Sequence, residues 1–199
     1  MIMLRIGCGE KAAGEHLLHC NYCIAGYLVG RYPAGVTVMT SAYREIDLMN
    51  ATLPEHIEEV RGLFVEYGPS LGFSLCFPSF DEELKSLPGA YGPPSGRLLL
   101  ARDADHAAGC IALRQLEAGI CEMKRLYVRP GDRGRGIGQM LVERVIAEAR
   151  AIGYERMRLD TIESAMKDAI ALYRRMGFQE IAPYSAIPIE SALWMELLL

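Results

Sequence analysis

Cys121, Met123, Arg125 and Tyr127 alternate with Glu122, Lys124, Leu126 and Val128. A two-residue period ending in aromatic and β-branched side chains predicts a strand. Beyond a short linker, Ile137, Leu141, Val145 and Ala149 recur at four-residue steps with Met140 and Ile152 beside them, while Glu143, Arg144, Glu148 and Arg150 fall elsewhere on the wheel. That spacing predicts an amphipathic helix stopping near Gly153. Upstream, residues 43–48 alternate as an opening strand. Thr52-Leu53-Pro54-Glu55 then reads as a capping box with an early proline, starting a helix that runs to about Tyr67. The Ser79 and Glu82 pair repeats the box ahead of a shorter helix ending near Leu87. Residues 89–96, with Pro93 and Pro94, read as a loop, and residues 97–102 and 108–116 as two strands around Asp103-Ala104-Asp105-His106.

Between the 121–128 strand and the 137–152 helix lies Arg-Pro-Gly-Asp-Arg-Gly-Arg-Gly-Ile-Gly, residues 129–138. Glycines at 134, 136 and 138 let the backbone turn sharply and approach a ligand, so that successive N–H groups and the positive end of the helix converge on an anion. Arg133 and Arg135 can add charge-assisted hydrogen bonds to phosphate oxygens. Two other phosphate loops are excluded by spelling. A dinucleotide fingerprint would need Gly or Ala where Gln139 or Leu141 stands, and Gly-Lys-Ser/Thr occurs nowhere. The expected ligand is a nucleotide-bearing cofactor held by its pyrophosphate.

The spelling Arg-x-x-Gly-x-Gly at 133–138 resembles the acyl-coenzyme A loop of the GNAT superfamily of N-acetyltransferases. The resemblance extends to residues 122–128 as that family's fourth strand, 156–161 as its fifth, 169–178 (Ala-Ile-Ala-Leu-Tyr-Arg-Arg-Met-Gly-Phe) as the following helix and Gly-Phe turn, and 183–198 as its closing hairpin and last strand. It covers roughly residues 40–199. It implies the GNAT fold: an α/β (α+β mixed) domain with a central mixed, mostly antiparallel sheet, splayed fourth and fifth strands, and helices on both faces. It also implies an acetyl-CoA-dependent N-acetyltransferase in which a primary amine attacks the thioester directly, without a metal. The pantetheine arm would lie along Leu126, Tyr127 and Val128, and the phosphates on Arg133, Gly134, Arg135, Gly136, Ile137 and Gly138. A backbone N–H near Val128 would meet the oxyanion.

Members of this family that use a glutamate of the fourth strand as base carry it eleven residues before the loop arginine, so the resemblance makes Glu122 the base candidate. A half-exposed carboxylate paired with a neighbouring Lys or Arg is the alternative. Tyr173 matches the tyrosine set beside the coenzyme A sulfur, where a phenol can protonate the leaving thiolate; an aromatic packed under the Gly177-Phe178 turn is the alternative. Many relatives carry Asn just after the fifth strand, where this chain has Thr161-Ile162-Glu163-Ser164. Arg174 and Arg175 could reach a 3′-phosphate or form a solvated face, and Asp160 could bind a cationic substrate or cap a turn. Tyr67, Phe73, Phe77, Tyr91 and Tyr184 are candidate walls of an acceptor pocket. The acceptor is expected to be a small-molecule amine or an amino-acid-like molecule, and its identity is not legible. A non-catalytic acyl-CoA-binding sensor or interaction module is the second reading, for which Glu122 and Tyr173 are incidental.

Composition changes little. A chain of 199 residues suits one domain plus a short extension, and a net charge of −4 offers no basic field for nucleic acid. No run of eighteen apolar residues suggests a membrane span. Residues 39–199 are read as the acetyltransferase domain and 1–38 as an extension outside the core, with Met39 as a second starting point. That extension carries His16, His19, Cys20 and Cys23 in an H-x-x-H-C-x-x-C array. Zinc and chance clustering are the alternatives; ligand pairs normally need a separating turn, so no metal is expected. A secretory signal fits poorly, with Glu10 and Glu15 ahead of the apolar run and Arg31 and Pro33 after it. Six cysteines do not make a disulfide scaffold. If Ala118-Gly119 centres a hairpin, Cys121 lies across from about Leu116 and not from Cys110. Free thiols in a cytoplasmic protein are the expectation. Pairing of subunits through the C-terminal strands is compatible with the sequence and undecided by it.

Overall fold

A computed structural model describes residues 45–70, 78–185 and 191–199, together with the backbone of three earlier strands. Two compact units divide at Arg44 and Glu45. In the first, β1 (Cys20–Ile24), β2 (Tyr27–Arg31) and β3 (Thr37–Ser41) form an antiparallel meander, and Met39 lies within β3. His16, His19 and the side chains of Cys20 and Cys23 lie outside the described residues.

The second unit is built on a seven-stranded sheet. Its strands are β4 (Ile46–Asn50), β5 (Arg97–Asp103), β6 (His106–Glu117), β7 (Ile120–Val128), β8 (Arg156–Ile162), β9 (Gln179–Ile181) and β10 (Ala192–Leu198). They lie in the order β4-β5-β6-β7-β8-β10-β9, antiparallel throughout except where β7 and β8 run parallel. The helices are α1 (Pro54–Ser70), α2 (Pro78–Ser86), α3 (Ile137–Ile152) and α4 (Lys167–Arg175). The early proline stands where α1 begins, as its fixed φ favours. The second helix begins at Pro78, which puts Ser79 inside the first turn and not at a cap.

Alternation along the central strands sorts their apolar residues to two sides. Leu99, Ala101, Ile111 and Leu113 join Leu141, Val142 and Val145 of α3 in one buried cluster, which also takes Leu172, Tyr173 and Phe178. Leu98, Leu100, Cys110 and Ala112 join Val60, Leu63 and Phe64 of α1 in the other. Each fully buried Leu or Phe contributes roughly 1.5–3 kcal/mol. The sheet therefore carries helices on both faces, as the GNAT resemblance implies.

The strand predicted at 121–128 keeps its period only in part. The pairing of β6 with β7 shifts between Cys110 and Ala112, whose partners are Tyr127 and Lys124, so two residues of β7 face one of β6. Arg125, at the bulge, has φ +59. Beyond it Leu126 and Val128, not Arg125 and Tyr127, join Cys121 and Met123 on the α3 side, and Tyr127 turns to the α1 side. A second shift places Cys121 opposite Gln115 instead of Leu116. Cys110 and Cys121 are buried and free, and burial pushes the Cys121 thiol up to about 12.

Candidate functional site

β7 and β8 pair only at Ile120, Cys121 and Glu122, opposite Arg156, Met157 and Arg158. Beyond Glu122 they part, leaving the main chain of β7 without a strand on that side. The bulge at Arg125 lies in this parted stretch. Its residue is a bulky cation held in the left-handed region, a conformation that persists only where surroundings over-determine it. Glu83 of α2 supplies that restraint, accepting hydrogen bonds from Arg125 Nε at 2.9 Å and Nη2 at 2.5 Å. The guanidinium also lies 5.0 Å from the centre of the Phe80 ring and 5.9 Å from that of Tyr67. Burial alone would raise the Glu83 carboxyl, but the hydrogen bonds and charge of Arg125 outweigh it and hold the group below its ordinary value.

Past Val128 the chain makes one 3-10 turn, Pro130–Asp132, and then two left-handed glycines, Gly134 at φ +78 and Gly136 at φ +80. Gly136 caps α3 without a side chain, and the first helical hydrogen bond runs from Met140 N to Gly136 O at 3.0 Å. The N–H groups of Ile137, Gly138 and Gln139 therefore have no partner within the helix. Apart from the adjoining residues of the chain, nothing lies within 4 Å of where a Cβ would stand on Gly134 or Gly136. This is the chemistry an acidic diphosphate needs: bare amides, a positive helix end and open space.

A groove of about 730 Å³ runs from this loop to the parted strands, walled by Leu126, Tyr127, Val128, Arg133, Gly134, Gly136, Ile137 and Gly138. Those are eight of the nine residues named from sequence for the cofactor. The ninth, Arg135, is turned under the loop, where Nη1 donates to Asp103 Oδ2 at 2.6 Å and to Asp132 Oδ1 at 3.1 Å. Asp132 also lies 2.9 Å from His106 Nε2. Two buried carboxylates outcompete the groove for that guanidinium, so Arg135 braces the loop and does not line it. The opposite wall consists of residues 164–169 with Leu172, which sequence reasoning missed, and Arg175, which it named as a possible phosphate contact. Arg174 instead pairs with Glu180 at 2.6 Å.

The groove shares Tyr67, Leu126 and Met166 with a smaller crevice between the strands, also lined by Lys124, Arg125, Asp160 and Tyr173. Tyr173 is buried, its ring 5.8 Å from that of Phe178, and burial pushes its hydroxyl well above the ordinary phenol value of 10.0. Glu122 is only 2% exposed and stands behind the crevice wall. Arg114 Nε donates to its Oε2 at 2.8 Å and the Tyr184 hydroxyl to its Oε1 at 3.0 Å. The ion pair weighed as the alternative for Glu122 is thus present, and the carboxylate is more deeply buried than a half-exposed strand residue. Among the proposed aromatic walls, Tyr67 lines the crevice. Tyr91 is buried with its hydroxyl donating to Glu83 at 2.7 Å, and Phe73 and Phe77 lie outside the described residues.

The sequence profile of the acetyltransferase (GNAT) family matches residues 57–178, more than half of the chain and every residue of the groove and crevice. The chain belongs to the GNAT acetyltransferase family. A GNAT relative, the uncharacterised N-acetyltransferase C1271.07c of Schizosaccharomyces pombe, is 38% identical over 154 residues, which is 76% of this chain and 94% of that protein. The L-methionine sulfoximine/L-methionine sulfone acetyltransferase of Salmonella typhimurium is 32% identical over 72 residues, 36% of this chain and 42% of that one. The GNAT fold is shared with yncA from Salmonella typhimurium, solved with its cofactor acetyl-CoA. The TM-score is 0.57 at 18% identity, covering 77% of this chain and 93% of that one. In this GNAT enzyme, no helix among the described residues is long and apolar enough to cross a membrane.

Proposed function

We propose that this acetyltransferase moves an acetyl group from acetyl-CoA to the primary amine of a small acceptor, by direct attack and within the unit Glu45–Leu199. The observation that carries the reading is the continuity of the uncapped α3 terminus with the gap between β7 and β8. One end supplies bare amides for a diphosphate and the other supplies unpaired strand for an amide-rich arm. When bound, acetyl-CoA supplies an activated thioester.

The chain's own residues do the rest. The bulge fixes the main chain around Leu126, so that an N–H near Val128 can stabilise negative charge on the acetyl oxygen. Tyr173, kept neutral by burial, gives its phenolic proton to the departing thiolate. Glu122 takes the proton the amine must lose. Because its oxygens are enclosed, it does so through one hydrogen-bonded intermediary, for which the Tyr184 hydroxyl is placed. A carbon–nitrogen bond forms as the carbon–sulfur bond breaks, leaving an amide and the free thiol. The named activity of the Salmonella relative on methionine derivatives supports an amino-acid-like acceptor.

The test is thiol release from acetyl-CoA across an amine panel. Tyr173→Phe and Glu122→Gln should each lower kcat by about 10²-fold or more while coenzyme A still binds. Tight cofactor binding without turnover of any amine would replace this reading with a non-catalytic acyl-CoA-binding module.

A further inference from the structure

The crevice carries an ion pair that neither the cofactor groove nor the proposed proton transfers use. Lys124 Nζ of β7 lies 2.7 Å from Asp160 Oδ1 of β8 and 3.6 Å from Glu122 Oε1. The two side chains come from opposite banks of the gap, just past the point where strand pairing stops at Glu122 and Arg158. Both line the crevice beside Leu126 and Tyr173, and both retain partial exposure, 18% for Lys124 and 23% for Asp160.

Their neighbours are already matched. Arg125 is held in a two-pronged pair by Glu83, and Glu122 by Arg114 and Tyr184. The Lys124 and Asp160 pair is thus the charge that an acceptor meets when it enters between the strands, and it must open to let an amine reach the acetyl seat.

Which acceptor opens it most readily follows from charge. A lone ammonium would compete with Lys124 for one carboxylate and leave an uncompensated positive charge in a narrow, partly dry cleft. A molecule bearing an ammonium and a carboxylate side by side replaces both partners: its ammonium takes Asp160 and its carboxylate takes Lys124. We infer that Lys124 and Asp160 form a two-charge receptor selecting zwitterionic acceptors, α-amino acids and their derivatives, over simple cationic amines. The inference rests on the acetyltransferase reading given above and assigns its substrate class to two residues.

The test uses the full-length protein and matched acceptor pairs, each an amino acid and the amine left by removing its carboxylate, for instance L-phenylalanine and phenethylamine, with product mass and thiol release both recorded. Wild type should favour the amino acids in kcat/KM on the order of tenfold to a hundredfold, the range of one charge-assisted contact. Lys124→Met should erase that preference by raising KM for the amino acids, Lys124→Arg should restore it, and Lys124→Glu should favour the amines. Coenzyme A affinity, measured separately, should hold across the three variants, showing that the groove is intact. A wild-type preference for the decarboxylated amines, or an unaltered ratio in Lys124→Met, overturns the receptor and leaves the acetyltransferase standing. Absence of turnover across every pair overturns both.

Discussion

Gly136 joins backbone geometry to ligand chemistry most directly. Its φ of +80 suits glycine, tolerates asparagine and strains other side chains, and its missing side chain leaves the mouth of α3 open. Gly136→Glu would add strain of about 1–2 kcal/mol and place a carboxylate against the expected diphosphate. Coenzyme A binding by calorimetry should be abolished while the circular dichroism spectrum is retained. Gly136→Asn, which adopts the same conformation without charge, should weaken binding less than tenfold. The glycines were legible in the sequence because so few residues adopt that backbone. The inward turn of Arg135 was not, because Asp103, which claims it, comes from a strand end 32 residues away. Glu122 shows the same limit. Its strand and spacing were readable, but its enclosure by Arg114 and Tyr184 depends on contacts eight and 62 residues distant in sequence.

Among the elements, β7 shows where a two-residue period stops being informative. A bulge costs the alternation one step, and nothing about an arginine announces the left-handed turn that Arg125 makes. The restraint comes from α2, so the bulge and the second helix stand or fall together. Glu83→Gln should destabilise the fold by about 1.5–3 kcal/mol, the scale of a charge-assisted hydrogen bond. The sign with pH follows from the lowered Glu83 carboxyl. Its stabilisation is complete above its ordinary value of 4.5 and is lost as pH falls through the lower folded value. Glu66, lowered by hydrogen bonds from Arg129, adds to the same window. The melting temperature should therefore fall progressively below about pH 4.5, and the Glu83→Gln variant should lose less over that range than wild type. The helix at 137–152, by contrast, was legible almost to the residue, since an apolar stripe ending in a left-handed glycine leaves little choice.

Across the molecule, the layered arrangement follows from alternation in β5 and β6, whose two apolar faces each require a helical cover. That much is encoded locally. The parting of β7 from β8 is not, because it depends on where two distant strands stop sharing hydrogen bonds. A ligand that binds there acts only on the folded state. Coenzyme A at a hundred times its dissociation constant should therefore stabilise the Glu45–Leu199 unit by about 2.7 kcal/mol, measured as a concentration-dependent rise in its melting temperature. The three paired residues at Ile120, Cys121 and Glu122 have one more consequence. With the hydrogen bonds that Glu155 N and Arg156 N donate to Gly119 O just before them, they stitch a four-strand panel to a three-strand panel. An occupant lying along β7, as proposed for the acyl donor, would lengthen that seam and leave the loaded protein more completely zipped than the empty one.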